Sequence, residues 1–396
     1  MKTVNAAALV MSLLRFTLEA PHRLQRHLVV PLLVVPFRFI SPPQWQRGWF
    51  FDIATPHHAA HSTSRQPHRG LNARDLNICP RSIYFPETYR SNPENRRFQT
   101  HFLSFNPQVD LLVARGLSIP TREDAANFLK RQNYYRFSGY ARYFQNAPSN
   151  GDPRFKPDAH WDDIVEIYNT DIAVRALLLR GIQAAEIAAR AAFALSEGAL
   201  HSPYEEYLEP TAYKVPKLPS VKATNELIIS ELRRSKEPYL AKYRRDASDE
   251  GREWIYDVPV WAAVEALSLG TLSKAISFRN DGNAVYSRTC SILGTKKQFL
   301  TSQLRSFTFV RNKCAHSARL WNCFVLDQPA VADGVRRRAE RMLGGEYDSN
   351  SVLSVIVALD NFLYRAGVWE GFLKDYLAVS ASSLPYRDGI ARPSHS

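Results

Sequence analysis

The sequence predicts an all-α fold. Apolar residues recur at steps of three and four over most of the chain beyond residue 102, which is typical of amphipathic helices. The alternating polar and apolar runs that would predict strands are few. Hydrophobic residues make up 45% of the chain and charged residues 22%, a balance that indicates a folded globular protein and excludes collagen-like or wholly disordered classes.

The pattern divides the chain into three segments. Residues 1–97 have no sustained period and contain scattered prolines and histidines, so we expect a disordered segment or an overextended reading frame. Residues 98–379 carry the helical pattern and form the predicted helical domain. Residues 380–396 are polar and contain two prolines, which predicts a mobile tail.

The first two predicted helices are short and have sequence signals at their ends. Residues 107–115 predict a helix that Gly116 closes, because glycine is the residue best suited to follow a helix. Thr121 opens the next helix, which reaches about residue 131. Asp124 stands three residues after Thr121, as in a capping box.

A much longer helix is predicted from Trp161 to about Leu195, either continuous or kinked at Gly181. Residues 184–192 are nearly all small, so a partner helix can approach closely there. Residues 201–220 contain four prolines and form a connection. Further helices are predicted over residues 221–245, 259–279, 284–293, 296–319, 329–343 and 351–379.

Charge and cysteine content limit the partners and the compartment. The net charge is +13, but residues 1–100 contribute +8 and residues 101–396 only +5, so basicity permits an RNA partner without requiring one. The four cysteines have no zinc-ligand spacing, and we expect free thiols in a reducing compartment, without a metal or cofactor. The apolar stretch at 28–40 is too short to span a membrane, so we expect a cytoplasmic protein with no membrane partner.

Arg311 and His316 form an R-x4-H motif, a pattern that is weak by itself. Arg96 and His101 match it too, but they lie in the segment without helical pattern. Around Arg311, by contrast, the helix predicted from residue 296 carries an apolar stripe with one missing member, at position 311. The stripe consists of Leu300, Leu304, Phe307, Cys314, Ala318 and Trp321.

The sequence leaves two interpretations of Arg311 open. A guanidinium that faces the core needs a partner, and Glu186 on the long helix could form a structural salt bridge with it. Alternatively, Asn312 and His316 share one helix face, and Arg311 could bend around the helix so that all three meet a phosphate. Histidine suits proton transfer near neutral pH, and arginine suits stabilisation of a crowded phosphate, so the second interpretation predicts RNA cleavage.

Four strings of the chain together resemble the Abi-like (AbiD/AbiF) family, within the HEPN superfamily. The string from Arg311 to Asn322 resembles the family's signature. The other three follow the family's order and rough spacing: Arg115 to Ile119 with Asn133 to Tyr140, Glu186 to Arg190, and Pro259 to Ser273. This resemblance covers roughly residues 102–325.

The resemblance implies a HEPN-like helical bundle with additional helices and a dimeric RNA-cleaving site. Arg311 and His316 become the catalytic pair, and Asn312 orients them. By the same resemblance Glu186 and Arg190 line or brace the site. Family members often have a second histidine directly after the first, where this chain has Ser317.

We therefore predict a metal-independent endoribonuclease of a bacterial abortive-infection or toxin-type phage defence system. Its expected partners are an RNA substrate, a second copy of the chain, and an antitoxin protein or non-coding RNA. Arg319 either contacts a second phosphate or is a solvated surface residue. The alternative is a non-catalytic HEPN module that binds RNA or protein and senses or signals infection; a HEPN partner of a nucleotidyltransferase is a third option.

Overall fold

The described residues confirm the all-α prediction. The computed structural model describes residues 102–245 and 253–395, and the predicted segment 1–97 lies outside them. Within those residues, fourteen α-helices and several 3-10 turns surround one small two-stranded antiparallel sheet. The cysteines described, Cys290, Cys314 and Cys323, are free thiols, as predicted. None of the helices in this part of the chain is both long enough and apolar enough to cross a membrane.

The elements follow one another in this order. The first half comprises α1 Phe105–Ala114, α2 Arg122–Gln132, α3 Tyr134–Ala141, β1 Gln145–Ala147, β2 Asp152–Phe155, α4 Trp161–Leu200, α5 Thr224–Arg234 and α6 Ala241–Arg245. The second half comprises α7 Val260–Ala263, α8 Leu269–Phe278, α9 Ala284–Ile292, α10 Lys297–Ala315, α11 Asp333–Leu343, α12 Val352–Arg365, α13 Phe372–Val379 and α14 Leu384–Ala391.

The 40-residue helix α4 is the centre of this domain, and α9, α10, α12 and α13 pack against it. The break that the sequence left open at Gly181 is absent, since α4 runs unbroken through that position. A Cβ atom built on Gly181 would lie 2.4 Å from the Phe372 ring. The glycine therefore gives α13 room to approach α4 and does not break the helix.

Three predicted helices are divided in the structure. The span 351–379 forms two helices, α12 and α13. Gly367 and Gly371 lie between them with φ values of +70° and +83°, which interrupt the helical backbone. The span 259–279 forms α7, a 3-10 turn and α8, and the Ser268 hydroxyl caps α8 by accepting from the Thr271 N–H at 3.3 Å. Similarly, residues 221–245 form α5, a 3-10 turn and α6.

The mobile tail predicted from residue 380 differs from the structure, in which α14 packs on the domain. Tyr386 and Ile390 are buried, at 0% and 1% exposure. Pro385, which argued for a loop, stands in the first turn of α14, where a helix tolerates proline. A Cβ atom on Gly389 would lie 2.2 Å from the Trp321 indole nitrogen, so this glycine lets the tail helix rest against the indole.

Candidate active site at the end of α10

Helix α10 presents the R-x4-H motif at its C-terminal end. Its buried face anchors it in the core through Leu300, Leu304, Phe307, Val310 and Cys314. The predicted extension to residue 319 is wrong, because the helix ends at Ala315 with His316 as its cap.

A Schellman motif terminates α10 immediately after the histidine. Ser317 has a φ of +53°, in the left-handed region that L-residues rarely adopt. Its N–H donates to the Cys314 carbonyl at 3.0 Å, and the Ala318 N–H donates to the Lys313 carbonyl at 2.8 Å. The chain therefore turns sharply away after His316 and leaves the imidazole at the exposed end of the helix.

Arg311 lies at the edge of the buried face and is partly exposed. The core position next to it is taken by Val310, which is fully buried. Among the described residues Arg311 forms no ion pair, and Glu186 pairs with Arg190 at 2.6 Å. The predicted alternative of an Arg311–Glu186 salt bridge is therefore wrong, and the guanidinium remains available to an external anion.

Asn312 contacts Arg311 and shares a helix face with His316. The Arg311 Nη1 atom is 3.3 Å from the Asn312 Oδ1 atom, so the long side chain bends toward the face that Asn312 shares with His316. The His316 N–H donates to the Asn312 carbonyl at 3.0 Å, within the last helical turn. Asn312 and His316 are both exposed. The guanidinium of Arg311 is partly exposed as well.

Two arginines from other helices fasten the turn that follows His316. Arg136 of α3 donates to the Ser317 carbonyl. Arg175 of α4 donates to the Ala318 carbonyl at 3.4 Å. Because these two carbonyls follow the motif directly, α3 and α4 determine the direction in which the chain leaves the site.

Arg319 extends the same attachment and is partly buried. It donates to the Gly139 carbonyl and, at 3.0 Å, to the Tyr143 hydroxyl. Its guanidinium also lies 4.7 Å from the centre of the Tyr143 ring. These contacts favour a structural role for Arg319 over the solvated surface position, and phosphate contact by its remaining N–H groups stays a prediction.

The Asp171 carboxylate of α4 accepts several hydrogen bonds beneath this turn, and Asp171 is fully buried. Arg175 forms an ion pair with it, one helical turn away. Burial raises the pKa of the Tyr140 hydroxyl that donates to Asp171, and the negative charge of Asp171 raises that pKa further. The carboxylate accepts from Tyr140 Oη (2.6 Å), Leu320 N (3.3 Å), Trp321 N (3.2 Å), Tyr386 Oη (3.0 Å) and the Arg175 guanidinium.

Glu186 and Arg190 stand elsewhere on α4. Fifteen residues separate Glu186 from Asp171, about 22 Å along a helix. Arg190 donates to the Glu186 carboxylate at 2.6 Å and to the Leu267 carbonyl at 2.9 Å. The structure does not bring this pair to the end of α10; instead the pair braces α4 against the segment that leads into α8.

Sequence reasoning missed Asp171, Arg175, Arg136 and Tyr386. For the first two a signal was available: an acid and a base at i and i+4 interrupt the apolar face of α4, which indicates a buried ion pair. The sequence gives no comparable signal for Tyr386, because its partner lies 215 residues away.

Among the described residues, no group of three or more His, Cys, Asp or Glu side chains could hold a metal ion.

Comparison with known proteins identifies a family for this chain. Residues 127–322 match a family model described as Abi-like protein. The matched region begins in α2, contains α3 and α4, and ends six residues after His316. Searches of curated proteins and of solved structures return no match. On the family match, the chain belongs to the Abi-like family.

Proposed function

We propose that this protein is a metal-independent endoribonuclease of the HEPN type that acts in a bacterial abortive-infection or toxin-type phage defence system. Membership of the Abi-like family supports the abortive-infection role. The observation that carries the nuclease proposal is the placement of Arg311. Its guanidinium is partly exposed, has no carboxylate partner among the described residues and contacts Asn312, which shares a helix face with the exposed His316.

The proposed reaction is a transesterification within the RNA. The ribose 2′-oxygen attacks the adjacent phosphorus and loses its proton to a base, while the bond from phosphorus to the 5′-oxygen breaks. That leaving oxygen takes up a proton. The products are a 2′,3′-cyclic phosphate and a 5′-hydroxyl end. An imidazole can accept or donate these protons near neutral pH, so His316 is the proposed acid–base residue.

Arg311 has the complementary role in this proposal. Negative charge accumulates on the non-bridging phosphate oxygens as the phosphorus becomes five-coordinate, and a planar guanidinium donates to two of them at once. Asn312 orients the guanidinium through the contact at 3.3 Å. The proposed site holds a single imidazole per chain, whereas the reaction needs two proton transfers. A second copy of the chain would supply the second imidazole, which supports the proposed homodimer.

An RNA digestion with the full chain tests this function. Purified protein is incubated with total RNA with and without EDTA, and the product ends are mapped. We expect the same cleavage sites in both samples, 5′-hydroxyl ends and 2′,3′-cyclic phosphates. Loss of cleavage in EDTA that added Mg²⁺ restores would contradict the metal-independent chemistry.

The variant Arg311→Ala separates this proposal from its rival, a non-catalytic module that binds RNA or protein and signals infection. Arg288→Ala is the matched control, because Arg288 is an exposed helical arginine on α9. We expect Arg311→Ala to abolish cleavage and Arg288→Ala to leave it unchanged. Identical product patterns from all three proteins would favour the rival. Co-expression with neighbouring genes tests for the proposed antitoxin protein or non-coding RNA.

A further inference from the structure

We infer that Asp171 is a positioning residue of the site, and that the C-terminal helix α14 acts on His316 through it. The inference rests on the proposed function and extends it to a part of the chain outside the family match. Asp171 is 0% exposed, so it cannot touch RNA and cannot serve as an acid or base in the reaction. Any effect of Asp171 on cleavage must therefore pass through the residues that it binds.

Two of the groups that Asp171 binds lie close to His316 in the chain. The Leu320 and Trp321 N–H groups, which donate hydrogen bonds to Asp171, lie four and five residues after His316. Between them and His316, the Ser317 and Ala318 carbonyls are held by Arg136 and Arg175. Consecutive residues of this turn are thus tied to α3 or α4, and the helix end has little freedom to shift. Catalytic groups need such support, because a displacement of about 1 Å can cost a hundredfold in rate.

The carboxylate has a fixed orientation because both of its oxygens are occupied. Oδ2 accepts from the Tyr140 hydroxyl at 2.6 Å and from the Leu320 N–H at 3.3 Å. Oδ1 accepts from the Trp321 N–H at 3.2 Å and from the Tyr386 hydroxyl at 3.0 Å. The donors on opposite sides prevent rotation of the carboxylate, so each tyrosine hydroxyl helps to fix the position of the turn.

Tyr386 connects the C-terminal helix α14 to the Asp171 carboxylate. It is fully buried on α14, whose Gly389 lies against the Trp321 indole. The Trp321 Nε1 atom also donates to the Pro385 carbonyl at 3.0 Å, and the Asn322 N–H donates to the Gly389 carbonyl at 3.1 Å. The residues after the motif are therefore fastened on one side by α4 and on the other by α14.

Tyrosine-to-phenylalanine variants test this role with little change in packing. Tyr386→Phe and Tyr140→Phe each remove one hydroxyl donor to Asp171 and keep the buried ring. Tyr207→Phe is the matched control, because Tyr207 is equally buried and donates to the Val258 carbonyl at 2.8 Å, beyond the far end of α4. Three quantities are measured on the full chain: the single-turnover cleavage rate, the RNA dissociation constant, and hydrogen exchange of the Leu320 and Trp321 amides.

We expect Tyr386→Phe and Tyr140→Phe to lower the cleavage rate about tenfold and to speed amide exchange at Leu320 and Trp321. The RNA dissociation constant should stay within about twofold of the wild-type value, because neither hydroxyl reaches the surface. Tyr207→Phe should leave the cleavage rate and the exchange of these two amides unchanged.

Two results would overturn the inference. One is wild-type cleavage in both Asp171-contacting variants; the other is an equal loss in Tyr207→Phe, which would indicate general destabilisation. If the wild-type chain cleaves no RNA, the proposed function fails instead. The exchange of the Leu320 and Trp321 amides then still shows whether Tyr386 holds the turn, so the two failures are distinguishable.

Discussion

The Arg311 guanidinium lies 3.3 Å from the amide oxygen of Asn312, the next residue along the helix. Adjacent residues on a helix point about 100° apart, so this contact requires the arginine to curl around the helix surface. The curl brings its charge from the edge of the buried face toward the face of His316. The planar shape of the guanidinium, and not only its charge, should therefore matter for cleavage.

Arg311→Lys should keep the positive charge and still lower the cleavage rate about tenfold or more. An ammonium group lacks the planar fork that donates to two phosphate oxygens together, so it stabilises the developing phosphate charge less well. Single-turnover cleavage of a defined RNA measures the effect. Arg288→Lys, at an exposed position on α9, is the control, and equal rates for wild type and Arg311→Lys would show that charge alone suffices.

Gly181→Ala should destabilise the protein although alanine favours helices. The helix-propensity gain is about 1 kcal/mol. The new methyl group would lie 2.4 Å from the Phe372 ring, and overpacking of this kind costs about 1–3 kcal/mol. We expect a net loss in the free energy of unfolding, measured by urea denaturation. Gly334→Ala on α11, where the added Cβ meets no atom within 4 Å, should be neutral or stabilising, and a stabilising Gly181→Ala would contradict the close contact.

Ser317→Gly should raise the free energy of unfolding by up to about 1 kcal/mol. Ser317 has a φ of +53°, a conformation that is costly for residues with a Cβ atom and natural for glycine. Thermal or urea denaturation detects the change. Ser291→Gly, at an exposed position near the end of α9, should instead be destabilising, because its backbone is helical. The same sign for both substitutions would argue against the Schellman turn after His316.

Cys314 should resist alkylation in the folded protein at pH 8. Burial raises the pKa of its thiol to about 12, so the reactive thiolate is scarce at that pH. Mass spectrometry after iodoacetamide treatment should find Cys314 unmodified in buffer and modified in 8 M urea, which serves as the positive control. Labelling in buffer at the urea rate would contradict the buried position.

The same shift determines the direction of a pH effect on stability. The folded thiol has a pKa of about 12 and an unfolded thiol about 8.5, so the unfolded chain releases the proton first as pH rises. The stabilisation is fully present below about pH 8.5 and is lost between there and about pH 12. Between pH 7.5 and pH 10 the wild type should therefore lose more unfolding free energy than Cys314→Ala, by roughly 1–2 kcal/mol. An equal loss in both proteins would contradict the shift.

The sequence was sufficient to predict the helices whose ends carry local signals, whereas the chemistry of the motif stays a prediction. Gly116, with a φ of +94°, follows α1 as expected, and α2 begins directly after Thr121, although the Thr121 hydroxyl makes no capping hydrogen bond. The apolar stripe of α10 placed Leu300, Leu304 and Phe307 in the core correctly. These features depend on neighbours within a few positions, which periodicity and capping rules describe.

Features that depend on distant partners were not predictable in the same way. The Asp171 carboxylate draws its donors from residues 140 to 386, and no local pattern relates those positions. The packing of α14 depends on the fit between Gly389 and Trp321, so a polar, proline-containing segment resembled a tail. At Arg311 the pattern left two interpretations open. The contacts of Glu186 and Val310 decided between a buried ion pair and an accessible guanidinium.

The most direct test of the central claim is the single-turnover cleavage rate of His316→Ala on a defined RNA in EDTA. His160→Ala, at an exposed histidine outside the motif, is the matched control, and circular dichroism confirms the folding of both. We expect His316→Ala to lose cleavage by at least about a hundredfold while it still binds RNA, and His160→Ala to cleave like the wild type. Wild-type cleavage by folded His316→Ala would contradict the central claim.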